Sequence, residues 1–399
     1  MPVTKVGSLA STALLLISAM PRRRVSAAIA PAVTIRELAW ADCTAPAICR
    51  AWDALARRAA EPNPFFESWY LLAALRAIDP AGTVRMLLCE ADGALIGMLP
   101  VARQPRYYGR PLPHIASWSH ANCFLAAPLV ATGRELEFWR ALLGWADSDG
   151  GSGLFLHLSG LPLEGALHRA LGTVLSEQSR IAGLVHREER ALLASPQTPE
   201  DYLAASLSGK KRKELRRQRT RLAELGEIGF VREAGGDGLD AWTARFLELE
   251  QAGWKGKARS ALASQTGTAA LFRESLRGAV ERGRLERLTL SLDGRAIAML
   301  VNFITPPGAF SYKTTYDEDY ARFSPGVLLQ CENLQLLARP DIAWTDSCAA
   351  ADHPMIDHIW RERRAVGRIS IAIGGRLRRL VFARLLKAEL GRNPTGVFA

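Results

Sequence analysis

Two stretches of this chain read alike: Arg85–Ala102, RMLLCEADGALIGMLPVA, and Glu286–Phe303, ERLTLSLDGRAIAMLVNF. Asp92-Gly93 aligns with Asp293-Gly294, Ile96 with Ile297, and Met98-Leu99 with Met299-Leu300, at a constant offset of 201 residues. Each copy is a strand, an Asp-Gly pair and a second strand. A type I′ two-residue turn needs positive φ at both central positions, which Asp-Gly accepts at little cost. The pattern therefore predicts two β-hairpins, and their spacing by half the chain predicts a duplicated unit.

The flanking sequence fills in each unit. In the first half, Glu67–Leu75 reads as a helix after Asn63-Pro64, and the hairpin spans about 83–104. A helix over 134–147 carries Leu136, Trp139, Leu142, Leu143 and Trp145 at helical spacing. A strand at Gly153–Leu158 and a helix at Leu163–Ser179 follow. In the second half, helices over about 199–225, 239–252 and 268–282 precede the hairpin. Strands at Gly308–Tyr316 and Ala343–Ser347 flank a helix that starts at Pro325 or Gly326. Helix, strands, helix, strand is an α+β order, and it predicts two tandem units, each a mixed sheet flanked by helices. The polar, proline-containing stretch Ser195–Pro199 marks the boundary. The expected division is a tail over 1–32, units over 33–195 and 196–375, and a basic amphipathic helix with a tail over 376–399.

Composition narrows the function. The chain has 399 residues and a net charge of +11, and 48% of its residues are hydrophobic. No apolar run approaches the roughly 20 residues of a membrane-spanning helix. Leu9–Met20 and Ala28-Ile29-Ala30 resemble pieces of a signal peptide, but Arg22, Arg23 and Arg24 between them oppose export, so a cytoplasmic protein is expected. The six cysteines form no CxxC pair, and neither a disulfide framework nor a metal site is expected. Between Ser206 and Arg221 stand eight Lys or Arg and one Glu. Charge this concentrated points to one local anionic partner or to a solvated helix face.

In the second half, Ala309–Glu332 reads AFSYKTTYDEDYARFSPGVLLQCE. A strand runs into a polar loop, and Ser324-Pro325-Gly326 then opens an apolar helix. Ser suits the N-cap and Pro the first helical position. The free N–H groups of the first turn, with the positive end of the helix dipole, can hold a pyrophosphate, and Gly326 leaves room for it. Equally, Ser-Pro-Gly is an ordinary helix start.

Tyr312–Gln330, YKTTYDEDYARFSPGVLLQ, resembles the CelD-type, FemAB-related branch of the GNAT N-acetyltransferases. So does Ser208–Phe230, SGKKRKELRRQRTRLAELGEIGF, and Asp346–Trp360, DSCAAADHPMIDHIW, looks like the variable end of the same module. The resemblance covers about 204–364 well and 64–130 more weakly. It implies a GNAT fold in each half and acyl transfer from acetyl-CoA, or another acyl-CoA, to an amine on a small molecule, glycan or lipid, without a metal. It implies that the donor lies between two splayed strands, Phe310–Tyr316 and Ala343–Ser347, with its pyrophosphate on Arg322, Phe323, Ser324, Pro325, Gly326 and Val327. Lys313 is counted with these donor-binding residues. One departure is that this loop holds a single glycine. FemAB relatives that take aminoacyl groups from tRNA give a second reading, and a non-catalytic, nucleic-acid-binding regulator gives a third.

Direct transfer needs a base for the amine and a proton for the leaving thiolate, and no cysteine nucleophile. Asp346 and His353 are the candidate bases. Tyr312 and Tyr316, of like parity on one strand, are candidate acids or core residues. The basic helix suits the CoA 3′-phosphate, an anionic acceptor or RNA. The C-terminal stretch Arg376–Leu390 is a second basic amphipathic helix, suited to packing on the second unit or to lying on a membrane surface.

Overall fold

The computed structural model describes residues 33–391. The tail over 1–32, with its apolar run, its arginine triplet and the possible cleavage site, lies outside the described residues, as do residues 392–399. The first half runs β1 (Thr34–Ala39), α1 (Pro46–Ala56), α2 (Ser68–Ile78), β2 (Arg85–Ala91), β3 (Ala94–Gln104), β4 (His114–Ser117), β5 (Leu129–Val130), α3 (Glu135–Asp149), β6 (Phe155–Pro162), α4 (Ala166–Glu177) and β7 (Ala182–Leu193). The second runs α5 (Pro199–Ser206), α6 (Gly209–Ala223), β8 (Ile228–Glu233), α7 (Leu239–Ala252), α8 (Trp254–Lys257), α9 (Thr266–Glu281), β9 (Leu285–Leu292), β10 (Arg295–Thr305), β11 (Gly308–Tyr316), α10 (Pro325–Asn333), β12 (Trp344–Asp346), β13 (Glu362–Ala372) and α11 (Arg376–Leu390).

The two Asp-Gly pairs form the expected turns. Positive φ occurs at Asp92, Gly93, Asp293 and Gly294, and the hairpins β2–β3 and β9–β10 close around them. Both hairpins slip register once, at Cys89/Glu90 and at Ala296/Ala298, so the repeat extends to its irregularities. The expected helix over 199–225 is two helices. Thr198 caps α5 by accepting from the Asp201 N–H, and Ser208 caps α6 by accepting from the Lys211 N–H, with extended Leu207 between them.

All thirteen strands join one sheet in the order β1-β2-β3-β4-β6-β13-β7-β12-β11-β10-β9-β8, with β5 beside β3. The boundary near 195 therefore divides the chain but not the sheet. Strand β13, from the second half of the sequence, lies between β6 and β7 of the first half. Both neighbours of β7, β12 and β13, come from the second half. Helix α2 is buried over Ser68–Leu75 and packs on α9, where a Cβ on Gly278 would meet the Trp69 Cβ at 2.8 Å. One continuous core of large apolar side chains, including Trp52, Phe65, Trp69, Phe246, Phe272 and Phe303, spans both halves. Helix α11 packs Phe382 and Leu386 on Phe155 and Ala372, on the β6–β13–β7 part of the sheet, so it rests on strands of both halves.

Candidate active site

Strands β11 and β12 run parallel for three residue pairs, Gly308–Trp344, Ala309–Thr345 and Phe310–Asp346, and then part. A cavity of about 200 Å³ occupies the gap, lined by Ser311–Tyr316 on one side and Ser347–Ala350 on the other. Phe124 of the first half, Glu250, Trp254, Lys255 and His353 complete its wall. This is the splay that the resemblance implies, on the strands expected.

The equivalent parallel pair of the first half, β4–β6, is closed. Past Ala116–His157, the Ser159 N–H donates to Ser117 Oγ at 2.8 Å, and the loop over 118–128 crosses the gap, with the Ala126 N–H donating to the Gly160 carbonyl. The same loop supplies Phe124 to the open cleft of the second half. The first half thus shapes the site without offering a second gap of its own.

At Tyr312 strand β11 bulges: Val301 pairs with Lys313, and Asn302 already pairs with Ser311. An extra residue flips the side-chain alternation beyond it. Tyr312 keeps the face of Phe310 and packs with Phe65, Phe303 and Phe310 in the core shared by the halves, while Tyr316, beyond the bulge, lies against the opposite face with Phe323 and Leu328. The expectation that both tyrosines share one face is corrected by that bulge. Tyr312 is 2% exposed and its hydroxyl meets that of Tyr70 at 3.1 Å, with burial raising its pKa; it packs in the core at the inner wall of the cavity. Tyr316 lines the cavity.

The bulge also turns Lys313 inward. Its Nζ lies 5.2 Å from the Phe124 ring centroid and 5.6 Å from that of Tyr312, and among the described residues no carboxylate pairs with it. Burial, and then the nearby Lys255 charge, bring its pKa down to about 8. Lys255 is the paired lysine: its Nζ donates to Glu250 Oε1 at 2.8 Å and to the Thr314 carbonyl at 3.3 Å. Lys313 therefore stands as a half-buried amine in the wall of the cleft, easier to deprotonate than an ordinary lysine.

Asp346 does not face the cavity. It is fully buried, and its Oδ2 accepts from Arg190 at 2.7 Å and from Arg364 at 3.0 Å, while Oδ1 accepts from the Cys348 N–H at 2.9 Å. Burial works to raise its pKa, but the two guanidinium groups prevail and hold the carboxyl below its ordinary range. A carboxylate so occupied is a poor proton acceptor, so Asp346 ties β12 to β7 and β13 rather than serving as base. His353 does line the cavity. Burial, and then Lys255, lower its pKa, so the ring is neutral at pH 7. The Met355 N–H donates to Nδ1 from 3.4 Å, an arrangement in which the neutral ring carries its proton on Nε2.

The proposed phosphate loop is also altered. Ser324 adopts the left-handed conformation, φ 52°, and its side chain caps nothing. Its carbonyl takes the N–H groups of both Val327 and Leu328. Since Pro325 has no N–H, Gly326 has the one donor of that turn left over among the described residues. Pro325 and Gly326 are buried, and a Cβ on Gly326 would meet Met355 Sδ at 2.9 Å and Tyr316 Cδ1 at 3.2 Å, so this glycine allows close packing. Arg322 and Phe323 stack on each other, with the guanidinium 4.7 Å from the ring centroid. Cations approach the far side of α10 instead: Arg212, Arg216 and Arg219 of α6 share a groove with Leu328 and Cys331. Sequence reading missed Phe124, Glu250, Lys255 and the two arginines on Asp346, because only the folded chain brings them to the site.

The fold is a GNAT fold, built as a tandem pair. Residues 209–353 match the family model described as acetyltransferase (GNAT) domain. That stretch is a GNAT acetyltransferase domain, and the protein is an N-acyltransferase. No curated protein matches the chain. Among solved structures the fold is similar to that of FemX, with a TM-score of 0.53, 10% identity, and coverage of 85% of this chain and 98% of that one. A conserved protein of unknown function from Bacteroides thetaiotaomicron gives 0.52 at 12% identity, covering 86% and 100%. The C-terminal domain of a protein assigned as a lysylphosphatidylglycerol synthetase, from Agrobacterium fabrum, gives 0.50 at 13%, covering 88% and 98%.

Proposed function

We propose that the protein transfers an acyl group, in the first instance acetyl from acetyl-CoA, to an amine acceptor by direct attack in a ternary complex. The observation that carries this reading is the parting of β11 and β12 around a cavity whose wall presents an unpaired lysine. On this reading the backbone of β11 and of 347–350 receives the pantetheine arm. The Gly326 N–H and the arginines of α6 receive the donor's phosphates, and the acceptor enters from the Phe124 side. The neutral form of Lys313 takes a proton from the acceptor's ammonium, and the free amine then bonds through its lone pair to the thioester carbon. The carbon–sulfur bond breaks, the Tyr316 hydroxyl supplies the proton that the departing thiolate takes up, and the tyrosine regains one from the nitrogen of the new amide. Cys348, whose thiol burial keeps protonated, forms no covalent intermediate.

The long, mostly unpaired cationic face of α6, with Lys210, Lys211, Lys213, Arg216 and Arg217 lining a second shallow groove, favours one alternative donor, an aminoacyl-tRNA. Thermal unfolding separates the two. Acetyl-CoA at about a hundred times its Kd should stabilise the protein by roughly 2.7 kcal/mol, a rise of several degrees in Tm. A rise with tRNA that vanishes with salt, and none with acetyl-CoA, would move the donor to RNA. Silence with both would leave a fold that has lost this chemistry. The acceptor's identity, including a polysaccharide or cell-envelope amine, is the next question once the donor is known.

A further inference from the structure

Helix α11 carries two apolar faces, and the sheet accounts for one of them. Phe382 and Leu386 are buried on Phe155 and Ala372. The N-terminal turn is pinned by Arg379, which donates to Asp147 Oδ2 at 3.0 Å and to the Gly374 carbonyl at 2.8 Å. The helix is therefore held in a fixed orientation. On its outer side Leu377 is 82% exposed, Leu380 57% and Val381 43%, at positions i, i+3 and i+4, so they form one ridge. Arg376, Arg378, Arg384 and Lys387 surround that ridge, and none of the four forms an ion pair among the described residues. The helix's one acid, Glu389, accepts from the Tyr107 hydroxyl at 2.8 Å. Beside the helix, across a cleft shared with Leu385 and Ala388, Tyr108 is 68% exposed, its hydroxyl accepting from Arg368 at 3.1 Å.

We propose that this face seats the protein on an anionic lipid surface. The ridge enters the headgroup boundary, the four cations meet lipid phosphates, and Tyr108 lies at the same level as an interfacial anchor. An apolar ridge flanked by cations is the arrangement that such a surface rewards twice, by burial and by charge. A second copy of the chain is disfavoured as the occupant, because pairing two such faces would oppose eight cations. Nucleic acid would match the charge but leave Leu377 and Leu380 in water.

The test is co-sedimentation of the full-length protein with vesicles of phosphatidylcholine containing phosphatidylglycerol, and with vesicles of phosphatidylcholine alone. The expected result is binding to the anionic vesicles, at least about tenfold stronger than to neutral ones and weakened by salt. Leu377→Asp with Leu380→Asp should lower that binding about tenfold while leaving Tm unchanged, since neither side chain packs on the body. Lys210→Glu with Lys211→Glu, on the other basic helix, should keep it. The proposal is overturned by an absence of binding, by equal binding to neutral vesicles, by binding that survives the leucine changes or depends on α6, or by a solution dimer that the leucine changes dissolve.

Discussion

Lys313 sits where three local facts meet: a bulge that turns it inward, burial that disfavours the charged form, and a neighbouring lysine that already holds Glu250. Burying a charge without a partner weakens the fold, so this residue trades stability for reactivity. Lys313→Met is expected to raise Tm while lowering kcat by about a hundredfold or more. The pH profile gives a third readout. The amine acts as a base only when neutral, so kcat/KM should rise with pH and level off above about 8, and that limb should disappear in Lys313→Arg. Asp346 behaves oppositely. Asp346→Ala leaves Arg190 and Arg364 facing each other, and should cost about 3–5 kcal/mol in chemical denaturation. Its folded pKa lies below the unfolded one, so its contribution is present above the unfolded value and is lost as pH falls through the folded one. The acid limb of unfolding should shift when this cluster is removed.

The element in question is the turn from β11 into α10. Read locally, Ser-Pro-Gly is a capped helix start with spare donors. In the fold, Ser324 turns left-handed, its carbonyl collects two N–H groups, and Gly326 is pressed against Met355. Gly326→Ala should therefore destabilise the protein by about 1–3 kcal/mol, whatever it does to donor binding. Met355→Ala in the same chain should recover most of that loss, because the two sites share one contact. A double-mutant cycle by thermal unfolding measures the coupling, and additive effects would show that the glycine answers to something other than Met355.

For the whole molecule the decisive fact is the exchange of strands. A fragment of residues 33–195 contains β7 but neither of its partners, and it exposes β6 along the edge that β13 covers. Such edges pair with other chains. The fragment is expected to be aggregated or unfolded by circular dichroism and gel filtration, whereas a chain of residues 33–391 is expected to fold cooperatively. A soluble, folded 33–195 fragment would mean that the halves are separable after all.

The duplicated hairpins, their Asp-Gly turns, the α+β order and the strand pair that frames the cleft were all legible in the residue order. Each rests on interactions between residues close in the chain: positive φ at an Asp-Gly pair, alternation along a strand, an apolar stripe along a helix. What the order could not show depends on partners far apart. Asp346 looks like a base until Arg190, 156 residues away, is brought to it. Tyr312 and Tyr316 look like residues of one strand face until one extra residue in β11 turns Tyr316 away and leaves Tyr312 against Tyr70 of the other half. Lys313 is an ordinary lysine in the sequence and an amine of lowered pKa in the fold, because that pKa answers to burial and to neighbouring charge. Both of those properties belong to packing, and packing joins segments whose separation along the chain carries no local signal.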